Sequence, residues 1–257
     1  MFSCFKVDLD DVINDLPYES IFGNLHLFED DSDFDVNFKT DKFIRTFKEV
    51  ISGEEIILGD ELQNEWFPEV EADIFISHAH NDDCKVIKFA HWLKNEFGLN
   101  AFIDSKVWGY ADNLIDILCN LLDADRQFIT QHVYGMLSAA LHNMIDKTES
   151  FIFLKSSNSI FNPGNGMEDT TLSPWLYLEL EWVRTIRKNP SSKFLCHSLN
   201  LSEALEGNRT PMISHKADTN RLLSLTLQDL KNWHLAHQNN EYELSALEVL
   251  YKIKHTV

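Results

Sequence analysis

Asp73-Ile74-Phe75-Ile76-Ser77 is the stretch on which the fold turns. It is a short apolar run rich in β-formers, the pattern of a strand buried on both faces. Downstream, Asn81-Asp82-Asp83 can cap a helix that turns Val86, Phe89-Ala90 and Leu93 inward and ends at Gly98. Asn100 to Ile103 reads as a second strand, His132 to Ile145 as a helix, and Ser150 to Leu154 as a third strand. A helix from Ser173 to Arg187 and a fourth strand over Lys193-Phe-Leu-Cys196 continue the alternation. Strand and helix in alternation predict an α/β fold, a mostly parallel sheet with helices on both faces. Ligands of such sheets bind at the carboxyl ends of the strands. The residues at and after Ser77, Ile103 and Leu154 are therefore the place to look for function.

Outside this core the chain is uneven. Its 257 residues carry 41 acidic and 22 basic side chains, a formal charge of −19. Such a balance argues against nucleic-acid or anionic-membrane binding through a general positive field. Residues 1–70 hold 18 Asp/Glu against 5 Lys/Arg, so most of the excess lies there. Eight phenylalanines in the same stretch, from Phe2 to Phe47, are more than a disordered acidic tail would carry. Residues 1–70 are read as a folded acidic extension with a helix near 40–51, and residues 71–200 as the α/β domain. Residues 201–257 are read as a C-terminal helical part, with a capping box at Thr226-Leu-Gln-Asp229 and a terminal helix over 241–254. Cysteines 4, 84, 119 and 196 have no disulfide-like spacing, and the start of the chain lacks a secretory pattern. The expectation is a reduced, cytoplasmic protein.

One carboxylate stands in the wrong place. Ser173 is a good helix cap and Pro174 suits the first helical position. With Trp175 at 0° and about 100° per residue, Glu179 falls near ~40°, among Ile186, Val183 and Trp182 on the apolar face. A lone buried carboxylate costs several kcal/mol, so Glu179 must be paired, neutralised or used. Either an internal Arg or Lys partners it, or it opens on water, or it forms the floor of a cleft walled by Trp175.

The ordered set Ala72-Asp-Ile-Phe-Ile-Ser-His78, Gly98-Leu-Asn-Ala-Phe-Ile-Asp104, Ser150-Phe-Ile-Phe-Leu-Lys-Ser156 and Ser173-Pro-Trp-Leu-Tyr-Leu-Glu-Leu180 resembles a Toll/interleukin-1 receptor (TIR) domain over roughly residues 71–200. The resemblance implies a flavodoxin-like sheet. In the bacterial branch of that family it implies cleavage of NAD+ between nicotinamide and ribose, with NAD+ as substrate and no further cofactor. The family's catalytic glutamate, four residues after the helix tryptophan, corresponds to Glu179. Substrate contacts are expected from Ser77, His78, His80, Asp104 and Ser105 at the strand ends and from Trp175 as a wall. Between Asp104 and His132 lie 27 residues, more than the family usually has there. Leu114 to Leu122 reads as an added helix, and Trp108 and Tyr110, beside Gly109, as a lid over the substrate. Similarity to the stand-alone TIR proteins of Thoeris-like systems implies antiphage signalling through an ADP-ribose-derived product, self-association and a separate effector. A non-catalytic TIR scaffold that works by assembly is the alternative.

Other motifs are weaker. His78, His80 and Cys84 make an H-x-H-x3-C pattern with no fourth ligand nearby, short of a structural zinc site. A phospho-receiver would need an acidic acceptor where Lys155-Ser156 stand, and no phosphate-loop signature follows.

Overall fold

Phe151 and Phe153 turn to one side of a strand whose Ile152 and Leu154 turn to the other, and all four are buried. A strand alternates its side chains, so a run apolar at every position must be covered on both faces. In the computed structural model, which describes residues 3–13, 15–16, 59–109, 111–162, 168–185, 215–240 and 244–255, that strand sits in the middle of a sheet.

In chain order the first elements are β1 (Ser3–Asp8), α1 (Leu9–Val12), α2 (Gly59–Trp66), β2 (Ile74–Ser77) and α3 (Asp83–Phe97). Then come β3 (Ala101–Phe102), α4 (Asp104–Val107), α5 (Ala111–Leu122), α6 (Arg126–Lys147) and β4 (Ser150–Lys155). The rest are β5 (Thr170–Thr171), α7 (Pro174–Thr185), β6 (His215–Lys216), β7 (Leu223–Leu225), α8 (Leu227–Gln238) and α9 (Ala246–His255). Five strands form an all-parallel sheet in the order β3-β2-β4-β1-β7, while β5 and β6 make a small antiparallel pair. Counted from β2, this is the flavodoxin-like order 2-1-3-4-5, with β1 in the fourth place. The expected α/β fold class is the observed one.

Two cores follow from the alternation. Ile74, Ile76, Ile152, Leu154, Phe5 and Val7 face α3, α8 and α9, which contribute Phe89, Trp92, Leu93, Trp233 and Leu250. Phe75, Phe102, Phe151 and Phe153 face α5, α6 and α7, which contribute Leu114, Leu118, Val133, Leu141, Leu176 and Leu180. Gly98 ends α3 at φ +70°, in the left-handed region where glycine is favoured, as the sequence led one to expect. The capping box at Thr226 and Asp229 opens α8. Among the described residues no helix is long and apolar enough to cross a membrane.

The division at residue 70 does not hold for the sheet. Residues 3–8, placed by the sequence reading in an acidic extension, form an inner strand paired with β4 on one side and β7 on the other. Averaged over 70 residues the charge hid a local apolar pattern, since Phe5, Val7 and Leu9 are all fully buried. The C-terminal part likewise supplies a strand, β7, as well as helices. The helix expected at 40–51 and the strand expected at 193–196 lie outside the described residues.

Candidate active site

The chain runs from β2 to one neighbour, β3, and returns across α5 and α6 to the other, β4. Crossovers that leave a strand in opposite directions open a crevice at its carboxyl end, where ligands of such sheets bind. Ser77 is the last residue of β2 and is buried. Over it lies α7, whose start is fixed by the Ser173 hydroxyl accepting from the Leu176 amide at 3.3 Å. The serine cap and the proline after it set the helix register, and that register carries Glu179 inward between Leu176 and Leu180.

Glu179 is 4 % exposed, and its Oε2 accepts a hydrogen bond from the Ser77 hydroxyl at 2.5 Å. Among the described residues no lysine or arginine pairs with it. The first of the three possibilities raised by the helix geometry, an internal cationic partner, is therefore not the one realised there. Instead Glu179 lines a pocket of about 180 Å3 together with His78, Ala79, His80, Asn81, Asp104, Ser173, Trp175 and Leu176. Trp175 lies one turn before Glu179 on the same helix face and meets Tyr134 edge-on at 5.1 Å. The pocket is smaller than the several hundred Å3 that hold a whole drug-sized ligand, and suits one end of a larger molecule.

The histidines of the lining are each paired with an aspartate. His78 is buried, with Nε2 at 3.0 Å from Asp83 Oδ1 and Nδ1 at 3.3 Å from the Ile76 carbonyl. His80 Nε2 lies 3.4 Å from Asp104 Oδ2, and this contact with Asp104 raises the imidazole's pKa above the ordinary value. Ser105 donates to both oxygens of Asp83, at 3.3 and 3.2 Å, and Lys106 Nζ stands 3.5 Å from Asp83. Burial alone would raise Asp104, but the His80 hydrogen bond and the two imidazole charges outweigh it and hold Asp104 below the usual carboxylate value. Glu179 goes the other way. Burial first, then the Asp104 charge, push its pKa well above the ordinary glutamate value, and the Ser77 hydrogen bond opposes this only in part. Two carboxylates thus face one pocket, one held ionised and the other driven toward its neutral form.

The structure brings some of the expected site residues together and places others elsewhere. Glu179, His78, His80, Asp104 and Trp175 come together around the pocket, and Ser77 supports Glu179 from beneath. Ser105 is turned to Asp83. Trp108 is not a lid. It is 1 % exposed, packs against Phe67 and Phe102, and donates its indole N–H to the Pro68 carbonyl at 2.9 Å. Tyr110 lies outside the described residues. The enlarged segment after β3 is largely helical, with α5 packing its Leu114, Ile115 and Leu118 inward as expected of an added helix.

One group was read in the sequence only as a helix cap. Asp82, 2 % exposed, does not cap α3 with its side chain; it accepts from the Ser156 hydroxyl and from Asn158 Nδ2 at 2.8 Å. This ties the loop after β2 to the loop after β4. Among the described residues no group of three His, Cys, Asp or Glu is arranged to hold a metal ion. Comparison with family models, with curated proteins and with solved structures returns no match to this chain.

Proposed function

We propose that the chain cleaves the bond between nicotinamide and ribose in NAD+, with Glu179 as the catalytic carboxylate. The observation that carries the reading is a buried glutamate, aimed into a pocket, whose one hydrogen-bond partner among the described residues is a serine and on which the charge of another carboxylate, Asp104, acts. The oxidised nicotinamide ring is a cation and supplies the missing counter-charge. Its arrival would favour ionised Glu179, which burial and the Asp104 charge disfavour. As the C1′–N bond breaks, the electron pair goes to the ring nitrogen and positive charge develops on the ribose, much as in glycoside hydrolysis. A carboxylate fixed beside the sugar in a dry site stabilises that charge, and water or a hydroxyl then adds to C1′ and loses its proton. Nicotinamide is a good leaving group, so no second carboxyl is required to protonate it.

The ordered TIR-like segments support the same reading, and the proposal extends to antiphage signalling through an ADP-ribose-derived product and a separate effector. The test is nicotinamide release from NAD+ by the purified chain, followed by chromatography with mass detection, with and without infected-cell lysate. Release is expected from the wild type and should fall at least about a hundredfold in Glu179→Gln, the range for loss of one charge-stabilising group. No release under either condition from a folded protein would make Glu179 a structural residue and favour the assembly scaffold.

A further inference from the structure

Among the described residues, the ionisable groups lining the pocket are two carboxylates, Glu179 and Asp104, and two imidazoles, His78 and His80. Neither imidazole is an uncompensated cation, since His78 contacts Asp83 and His80 contacts Asp104. No lysine or arginine lines the pocket among the described residues, and the nearby Lys106 is directed to Asp83. An indole, Trp175, completes the lining. Carboxylates and an aromatic ring in a small, partly dry space favour a flat cation over a neutral ring of the same shape. The same charges oppose a phosphate, and the chain's overall charge of −19 adds to that opposition at low ionic strength.

We propose that the pocket is selective for a positively charged planar ring, that Asp104 shares this selectivity with Glu179, and that phosphates stay outside, so that a pyridinium riboside is the minimal substrate. The turnover part rests on the function proposed above, whereas the binding part does not. Asp104 thereby becomes a specificity residue. It sits at the start of α4, two residues past the end of β3, where a carboxylate held ionised by His80 can face the ring without being the group that meets the ribose.

The experiment is a calorimetric titration of the full chain with 1-methylnicotinamide, a cation, and with nicotinamide, its neutral counterpart. It is paired with turnover of nicotinamide riboside and NAD+ at low and high salt. The cation should bind at least about tenfold more tightly than the neutral ring, as expected for a charge facing the ionised Asp104 and a Glu179 that the cation helps to ionise. Asp104→Asn should reduce that preference several-fold, weakening the cation far more than the neutral ring. The riboside should be cleaved with a kcat/KM no lower than that of NAD+ at low salt, and added salt should favour the dinucleotide. Equal affinity for the two rings in the wild type, a comparison that needs no variant to fold, would overturn the proposal, as would cleavage of NAD+ with the riboside left intact. A clear cation preference with no nicotinamide from either substrate would uphold the selectivity and sink the enzyme reading, so the two failures are distinguishable.

Discussion

Ser77 and Glu179 make a contact with opposite consequences for activity and for stability. The hydroxyl favours the ionised carboxylate, while burial and Asp104 disfavour it. If the ionised form is the active one, the rate should rise with pH as Glu179 loses its proton. Ser77→Ala removes the influence that lowers the pKa and should move the rising limb of the pH–rate profile to higher pH. A profile that stays in place would separate Glu179 from the limb. Stability runs the other way, because a carboxyl whose folded pKa is raised gives up its proton more easily in the unfolded chain. Its stabilising share is full below the unfolded value and is lost as pH rises through the folded one. Glu179→Gln should therefore melt higher than the wild type at pH 7, by a few degrees at about 2–4 °C per kcal/mol, and lose that advantage below about pH 4. A variant inactive and more stable at neutral pH is what a functional carboxylate predicts; one inactive and less stable would point to a structural role.

Helices and loops carry the next level. α7 was legible because its cap, its proline and its apolar stripe agree, and Glu179 stood out only against that stripe. Trp108 was not legible. An aromatic beside Gly109 reads alike whether it covers a ligand or fills a core, and the deciding groups, Phe67 and Pro68, lie some forty residues earlier in the chain. Trp108→Ala should therefore act on folding, costing about 3–5 kcal/mol in chemical denaturation through the void and the stranded Pro68 carbonyl. A stable variant with a changed KM would restore the lid. The tie that Asp82 makes was invisible for a related reason, since its partners Ser156 and Asn158 come from another strand's loop. Replacing it with Ala frees two polar groups and unties the loop that carries His78 and His80. Activity should fall more than the melting temperature does, checked by running both assays on one preparation.

At the scale of the whole molecule, most of the α/β fold was legible from β2, β3 and β4, whose apolar runs announce burial on both faces. The place of β1 was not. Pairing across the full length of the chain leaves no local trace, and β7 has only three residues, of which Leu223 and Ser224 are exposed. Because β1 is interior, a proline within it strikes both of its neighbours at once. Val7→Pro should abolish the cooperative unfolding transition, whereas a strand dispensable to the fold would tolerate it with a small shift in midpoint.

The position of β1 also sets a timetable for synthesis. Ser3 pairs with Ser150, and Phe5 pairs with Leu223. Of the described strands, the earliest to leave the ribosome is thus the one that must wait for its partners, with one side open until β4 emerges and the other until β7 does. Through most of translation the nascent chain carries an apolar strand with two unpaired edges, the kind of segment that recruits other chains. Fragments ending before residue 223 would keep one of those edges, so their yield in the soluble fraction should depend on holdase chaperones far more than that of the full chain.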